Sequence, residues 1–180
     1  MSGVSNGASV TRPAPDEYGA FYGGYIARVP ADAEIVPLLA QQGSDTLARL
    51  EAVPESRGDF RYAPGKWSVK ELVLHLADTE RIMAYRALRI GRGDVTPLPG
   101  FDENLYAPAS GAGGRTVADL ARELADVRQG SLALFRHLPP EAWDRRGTAS
   151  GFGVSVRALA WIIAGHERHH LAVLAERYAV

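Results

Sequence analysis

The chain has 180 residues, which suits one domain with a full hydrophobic core better than two. Apolar residues make up 46% and charged residues 23%, and the net charge is -1, so the composition gives no electrostatic footprint for nucleic acid or an anionic membrane. The chain contains no cysteine. Disulfides, thiolate metal sites and cysteine nucleophiles are therefore excluded, and His, Asp and Glu are left as the strong metal ligands.

The beginning of the chain is rich in Ser, Gly, Ala and Pro and lacks the apolar segment of a signal peptide. We expect residues 1–17 to form a flexible tail and residues 18–180 to form one domain. No apolar run approaches the ~18 residues of a membrane span, so we expect a cytoplasmic protein. An aromatic patch follows, formed by Tyr18, Phe21, Tyr22 and Tyr25. Nearby glycines weaken a helix there, so we predict an arm laid over the core, or alternatively one wall of a pocket.

The first two of four long amphipathic segments come next. The first helix is predicted over Glu34–Val53, with Pro37 in its first turn. The second helix begins at a capping box in which Ser68 and Glu71 satisfy free backbone amides, and it ends at Gly91. Residues 91–115 then form a connection of about 25 residues with little periodicity, longer than most loops in a compact domain. A short helical turn is predicted at residues 101–106, and the connection is either functional or a simple link.

The third and fourth helices have their own capping signals. Thr116 and Asp119 mark the start of the third helix, which ends before Pro139. A polar, glycine-containing loop follows at residues 145–153, and Ser155 caps a last helix predicted over residues 156–178. No segment has the pattern of a strand. The sequence therefore predicts an all-α four-helix bundle with a long connection between the second and third helices.

The candidate metal ligands of this chain are histidines. His166 and His170 are four positions apart, which places both imidazoles on one face of the last helix. His75 lies beside the apolar stripe of the second helix, so these three imidazoles can bind one metal ion and leave a position for water or substrate. His169 is within a turn of both ligands. It is an alternative ligand, but we interpret it as a hydrogen-bond donor to a ligand or as a proton carrier. His137, at the end of the third helix, is interpreted as a favourable charge at a helix C-terminus.

The same residues also spell a metalloprotease motif. The segment from His166 to His170 matches H-E-x-x-H, in which the glutamate is the general base. The ten residues after His170 do not continue the extended metzincin pattern, and we expect no distant downstream glutamate ligand within them. A protease is therefore disfavoured.

Three segments together resemble a known family. Residues 62–71 (YAPGKWSVKE), 75–80 (HLADTE) and 165–170 (GHERHH) are similar to the YfiT-like branch of the DinB superfamily, and the resemblance extends over about residues 18–178. It implies a helical bundle, often dimeric, with a three-histidine site for nickel, zinc or another divalent ion. The matching positions are His75, His166 and His170, and all three histidines are present.

The resemblance also implies an activity. Characterised relatives include transferases that use bacillithiol or mycothiol, and others are described only as metal-dependent hydrolases. From this resemblance we expect a metal-dependent enzyme that transfers a low-molecular-weight thiol, of the bacillithiol or mycothiol type, to an electrophilic small molecule. The nucleophile would then come from the thiol, which is consistent with a chain that has no cysteine of its own. The alternatives are a hydrolase of the same family and a non-catalytic, stress-associated metal-binding bundle. Expected partners are a small-molecule substrate and a second copy in a homodimer, with no nucleic acid and no membrane.

Overall fold

The computed structural model describes residues 10–180, and most of them are helical. The elements in chain order are α1 (Gly23–Ile26), α2 (Ile35–Glu51), α3 (Val69–Gly91), α4 (Glu103–Ala109), α5 (Val117–Arg136), β1 (Arg146–Ala149), β2 (Phe152–Ser155) and α6 (Val156–Val173). Helix α6 continues as a π-helical stretch, Leu174–Tyr178. The four predicted long helices are confirmed as α2, α3, α5 and α6, and the predicted helical turn in the long connection is α4. Among the helices of residues 10–180, none is both long and apolar enough to span a membrane.

The four long helices form the bundle in an order that differs from their order in the chain. Helix α5 packs against both α2 and α3, and α6 packs against the same two helices from the other side. The order around the bundle is therefore α2, α5, α3, α6. The consecutive helices α2 and α3 lie across the bundle from each other, and the long connection after α3 carries the chain back to α5.

Side-chain caps fix where three of these helices begin. Ser68 Oγ accepts a hydrogen bond from the Glu71 amide, and Glu71 Oε2 accepts one from the Ser68 amide at 2.7 Å, which confirms the predicted capping box. Thr116 Oγ1 accepts from the amide of Asp119, and Ser155 Oγ accepts from the amide of Ala158. Each cap satisfies an amide that has no partner within its helix.

A β-hairpin lies between α5 and α6, so the expectation of no strands is wrong there. Strands β1 and β2 are antiparallel and join through Ser150 and Gly151, which have φ of 53° and 81°. Two consecutive residues with positive φ are typical of the tight turns that fit the twist of a hairpin. Leu98 of the long connection bonds to the same hairpin, its amide donating to the Thr148 carbonyl at 2.9 Å. The hairpin thereby holds the start of the long connection against the bundle.

The interior of the bundle has a polar layer between two apolar clusters. One cluster lies at the hairpin end and includes Met83, Phe135 and Trp161, and the other lies at the opposite end and includes Leu76 and Leu124. Along each long helix the two clusters are separated by a short stretch of polar residues that face the interior. The buried or half-buried members of this polar layer are Gln42, His75, Thr79, Glu80, Arg128, His166, Glu167 and His170.

The predicted tail is described only in its second half. Residues 1–9 lie outside the described residues. In residues 10–17, Arg12 donates to the carbonyl of Ile26 at 3.2 Å, and the buried Glu17 forms an ion pair of 2.5 Å with Arg157. This half of the segment therefore packs on the bundle. The division of the chain into a tail and a domain stays a prediction.

Candidate metal centre

The three predicted ligands come together in the polar layer. His75 projects from α3, and His166 and His170 project from one face of α6, so that one candidate ligand nitrogen from each lies within 4.8 Å of the other two. The Nε2 atoms of His75 and His166 are 3.0 Å apart. Within residues 10–180 this is the one such group of three His, Asp or Glu side chains. Helix spacing in α6 and the packing of α3 on α6 thus build the cluster that the sequence predicts.

All three imidazoles are held in the neutral form that binds metals. Burial lowers the pKa of His75 to about 4 and that of His170 to about 3. Burial, together with the neighbouring histidines, also lowers the pKa of His166 well below its usual value. A metal ion therefore does not have to compete with protons for these nitrogens at neutral pH.

The cluster fits a first-row divalent ion. Bonds of about 2.0–2.1 Å from one ion to three nitrogens correspond to nitrogen separations of about 3.0–3.5 Å. The observed separations reach that range with small side-chain adjustments. In addition, the Nδ1 atom of His170 is buried without a hydrogen-bond partner among the described residues. A donor set of three neutral nitrogens with an unsatisfied polar atom suits nickel, zinc or a similar ion better than calcium or magnesium, which prefer oxygen ligands.

Neighbouring side chains orient the histidines. The Oγ1 atom of Thr79, one turn along α3, is 3.5 Å from the Nδ1 atom of His75. The Trp67 ring lies against His75 with a centroid distance of 4.8 Å, and Tyr25 meets His166 edge-on at 5.3 Å. These contacts restrict the rings before any ligand binds.

The position of Tyr25 beside the histidines depends on a glycine in α6. The backbone carbonyl of Tyr25 lies against Gly165 so closely that a Cβ atom there would be 2.1 Å from the carbonyl oxygen. Since Gly165 precedes His166, the N-terminal aromatic segment reaches the histidines only because this position has no side chain. The interpretation of that segment as an arm over the core agrees with the structure, and so does its alternative role as a pocket wall.

The other two histidines lie outside the cluster. His169 is half-buried and contacts the Tyr25 ring at a centroid distance of 5.3 Å. Its role as a hydrogen-bond donor or proton carrier stays a prediction. The Nδ1 atom of His137 is 2.8 Å from the carbonyl of Ala133 at the C-terminal end of α5, which agrees with its predicted place.

The glutamate of the H-E-x-x-H segment faces away from the histidines. Glu167 is 3% exposed, and its Oε2 atom accepts hydrogen bonds from Arg128 at 2.6 Å and from Gln42 at 2.5 Å. Arg128 also forms a two-pronged pair with Glu80, with both distances 2.8 Å. A glutamate held in this way cannot act as the base of a metalloprotease, so the structure, like the sequence, disfavours a protease.

Sequence inspection missed the two arginines of this region that are buried. Arg128 of α5 is 1% exposed and Arg86 of α3 is 2% exposed. Both occupy positions in the apolar stripes of their helices, Arg128 between Leu124 and Phe135 and Arg86 after Met83. A long charged side chain at an inward-facing position is a sign of a buried pair or a ligand site, and that signal was available in the sequence.

A cavity of about 330 Å³ opens directly onto the three histidines. Its aromatic walls are Phe21, Tyr22, Tyr25, Trp67 and Phe101. Burial raises the pKa of Tyr22 and of Tyr25, so both phenols stay protonated at neutral pH. A larger groove of about 620 Å³ near Val10 and Trp143 contains none of the histidines. The smaller cavity is therefore the candidate substrate site.

Comparison with known proteins now identifies the family, because the family model of the DinB superfamily matches residues 38–174. The chain belongs to the DinB superfamily. A relative from Oceanobacillus iheyensis, named as a proposed metal-dependent hydrolase, is 29% identical to this DinB-superfamily chain over 113 residues. The match covers 62% of this chain and 64% of that relative, so less than two thirds of the relative's length is represented.

Solved structures of similar fold support the DinB-superfamily bundle. YfiT from Bacillus subtilis, described as a probable metal-dependent hydrolase with an unusual four-helix bundle topology, matches with a TM-score of 0.69 and 18% identity. That match covers 94% of this chain and 95% of YfiT. A mycothiol-dependent maleylpyruvate isomerase matches with a TM-score of 0.63 and 18% identity, over 81% of this chain and 61% of the isomerase. At such identities these likenesses establish the fold.

Proposed function

We propose that this chain is a divalent-metal-dependent enzyme that transfers a low-molecular-weight thiol, of the bacillithiol or mycothiol type, to an electrophilic small molecule. The observation that carries the proposal is the cluster of His75, His166 and His170 at one end of an aromatic-walled cavity. Three protein ligands leave a coordination position for a small molecule. A divalent ion held there, nickel or zinc, supplies stabilisation of a bound thiolate or hydroxide.

The residues of the chain have separate tasks in such a reaction. The three imidazoles stay neutral and hold the ion, and Thr79 and Trp67 keep His75 in place. The aromatic walls exclude water from the reacting groups, which strengthens electrostatic interactions inside the cavity. The nucleophile comes from the co-substrate, since the chain contains no cysteine.

A metal-dependent hydrolase is the second candidate, and the names of the Oceanobacillus iheyensis relative and of YfiT favour it. Hydrolysis needs a group that accepts a proton from the attacking water. Glu167 is held by Arg128 and is not free for this role. Of the side chains in the described part of the chain that line the cavity, Glu103 is the one carboxylate, so Glu103 is the base that a hydrolytic reaction would use.

The metal site is tested by metal analysis of untagged protein. We expect about one nickel or zinc ion per chain in the wild type, as three histidine ligands imply. A His75→Ala, His166→Ala double variant should contain only background metal. Equal metal content in the two proteins would refute the site.

The transfer activity is tested with each thiol separately. Conjugation of bacillithiol and of mycothiol to monochlorobimane is followed with and without a chelator, with the double variant as control. Chelator-sensitive turnover with one thiol is the expected result. If both thiols are inactive but the metal is present, an ester and amide panel with a Glu103→Gln variant tests the hydrolase. Inactivity there as well would leave a non-catalytic metal-binding bundle.

The homodimer is a separate part of the proposal. The mass of one chain is 19.4 kDa. Light scattering after size exclusion should give twice that mass, and a monomer mass would refute the dimer.

A further inference from the structure

Among residues 10–180, Arg86 is a buried cation with no carboxylate beside it. Its side chain is 2% exposed, and no carboxylate of these residues lies within 4.0 Å of its guanidinium. Its Nη2 atom donates to the carbonyl of Pro99 at 2.8 Å and to the Oγ atom of Ser150 at 2.9 Å. The Sδ atom of Met83 lies 3.7 Å from Nη1, and the Phe101 ring lies 5.7 Å from the guanidinium. All of these partners are neutral, so no anion among residues 10–180 balances the charge of Arg86.

The second buried arginine, Arg128, has the carboxylate partners that a buried charge usually has. Arg128 bonds to both Glu80 and Glu167, and these two carboxylates raise its pKa although burial alone would lower it. A buried charge without an ionic partner is costly, and proteins seldom keep one without a ligand or a pair. The difference between Arg86 and Arg128 therefore calls for an anion near Arg86.

The surroundings of Arg86 are also the walls of the candidate substrate cavity. Ser150, Tyr22 and Met83 line the cavity, and the Phe101 ring, 5.7 Å from the guanidinium, lines it too. His75, Thr79, Met83 and Arg86 follow one another along the same face of α3, so the cavity extends along this helix away from His75. The rise between His75 and Arg86 is about 16 Å along the helix axis. Arg86 thus stands behind the end of the cavity opposite the histidines.

The hydroxyl groups between Arg86 and the cavity are prepared to donate. Because Ser150 Oγ accepts a hydrogen bond from Arg86, its own hydrogen is directed elsewhere. The guanidinium also acts on the phenol of Tyr22, where it opposes the rise in pKa that burial causes. Glu103 is the acidic side chain at the same cavity, but it is exposed and makes no ion pair with Arg86.

We infer that the end of the cavity opposite the three histidines binds a carboxylate of the substrate, with the charge of Arg86 behind it and the hydroxyl groups of Ser150 and Tyr22 as donors. This inference rests on the proposed function in that it takes the cavity to be the substrate site. It adds the substrate class, which is an electrophilic small molecule that carries a carboxylate. The reacting group of that molecule then lies toward His75, and the carboxylate is bound away from it.

The inference is tested by binding, in chelator, so that neither the metal nor turnover contributes. Two probes of the same shape, 4-phenylbutyrate and its neutral amide, are titrated by calorimetry into wild type and Arg86→Met. We expect the wild type to prefer the carboxylate by about 10–100-fold, the usual range for charge-assisted hydrogen bonds. Arg86→Met should lose that preference, and Arg86→Lys should restore part of it. Arg81→Met, an exposed arginine on the same helix, is the matched control and should keep the preference.

A second variant covers the case in which Arg86→Met does not fold. Ser150→Gly removes the hydroxyl and keeps Arg86, and glycine accepts the φ of 53° at this position. It should weaken carboxylate binding several-fold and leave amide binding unchanged. Equal affinity of wild type for the two probes, or a preference that survives both substitutions, would overturn the inference. Since the assay uses metal-free protein, a failed thiol-transfer assay does not alter this result.

Discussion

Two polar clusters lie side by side in the middle of the bundle, and they differ in charge and in access. His75, His166 and His170 are neutral and face a cavity. Glu167, next to His166 in the chain, belongs instead to an ionic group with Arg128 and Glu80, whose side chains are only 2–4% exposed. Adjacent residues of a helix point about 100° apart, so one short segment of α6 contributes to both. Of the two clusters, the open neutral one has the character of a site, and the buried ionic one that of a structural support.

The largest expected effect is on metal content, when the neighbouring residues His166 and Glu167 of α6 are substituted one at a time. His166→Ala should reduce bound metal from about one ion per chain to background, because it removes one of three ligands. Glu167→Gln should keep full metal content, since this side chain faces Arg128. Inductively coupled plasma mass spectrometry on both variants decides the matter. Metal loss in Glu167→Gln at full folding would contradict the separation of the two clusters.

The ionic cluster should dominate stability. Arg128→Met leaves Glu80 and Glu167 buried without their cation, and loss of one partner of a buried pair costs about 3–5 kcal/mol. Urea unfolding of the metal-free protein measures the change in the free energy of unfolding. Arg81→Met, which breaks an exposed pair with Glu123, should cost less than about 1 kcal/mol. Similar losses in the two variants would show that the buried cluster does not stabilise the bundle.

The histidine cluster should make the metal-free protein sensitive to acid. The folded pKa of His75 is about 4 and that of His170 is about 3, both below the unfolded value of 6.5. The unfolded chain therefore binds protons that the folded chain does not, and stability falls as the pH drops below about 6.5. The loss is about 1.4 kcal/mol per pH unit for each histidine that stays neutral.

Urea unfolding in chelator at pH 7.5, 6.5 and 5.5 measures this slope. In a His170→Leu variant the free energy of unfolding should fall less steeply with decreasing pH. The slope should be smaller by the contribution of one histidine, about 1.4 kcal/mol per pH unit. An unchanged slope in that variant would show that His170 does not stay neutral in the folded protein.

A smaller effect is expected next to the ligands. Thr79→Val removes the hydroxyl beside His75 Nδ1 and should weaken metal affinity by up to about tenfold, the lower end for residues that orient a ligand. Thr79→Ser keeps the hydroxyl and should bind as the wild type does. Competition with a chromophoric chelator gives both affinities, and equal weakening in the two variants would point to packing instead.

The helices and the histidines could be predicted because local patterns determine them. Ser68 and Thr116 are capping residues with characteristic neighbours, and the spacing of His166 and His170 follows from helix geometry alone. The hairpin was missed because its strands are four residues long and carry few β-branched side chains, although Ser150-Gly151 is a turn signal. The partners of Arg86 and Arg128 could not be predicted, since they depend on which helices are neighbours.

Gly165 has a consequence for how this cavity can vary. A methyl group at residue 165 would displace the carbonyl of Tyr25, so the aromatic segment would have to move away from α6 as a unit. The width of the cavity beside His166 is therefore set by a residue that never touches a ligand. Replacing Gly165 with alanine would change which molecules enter the cavity, although neither a candidate metal ligand nor an aromatic side chain is itself substituted.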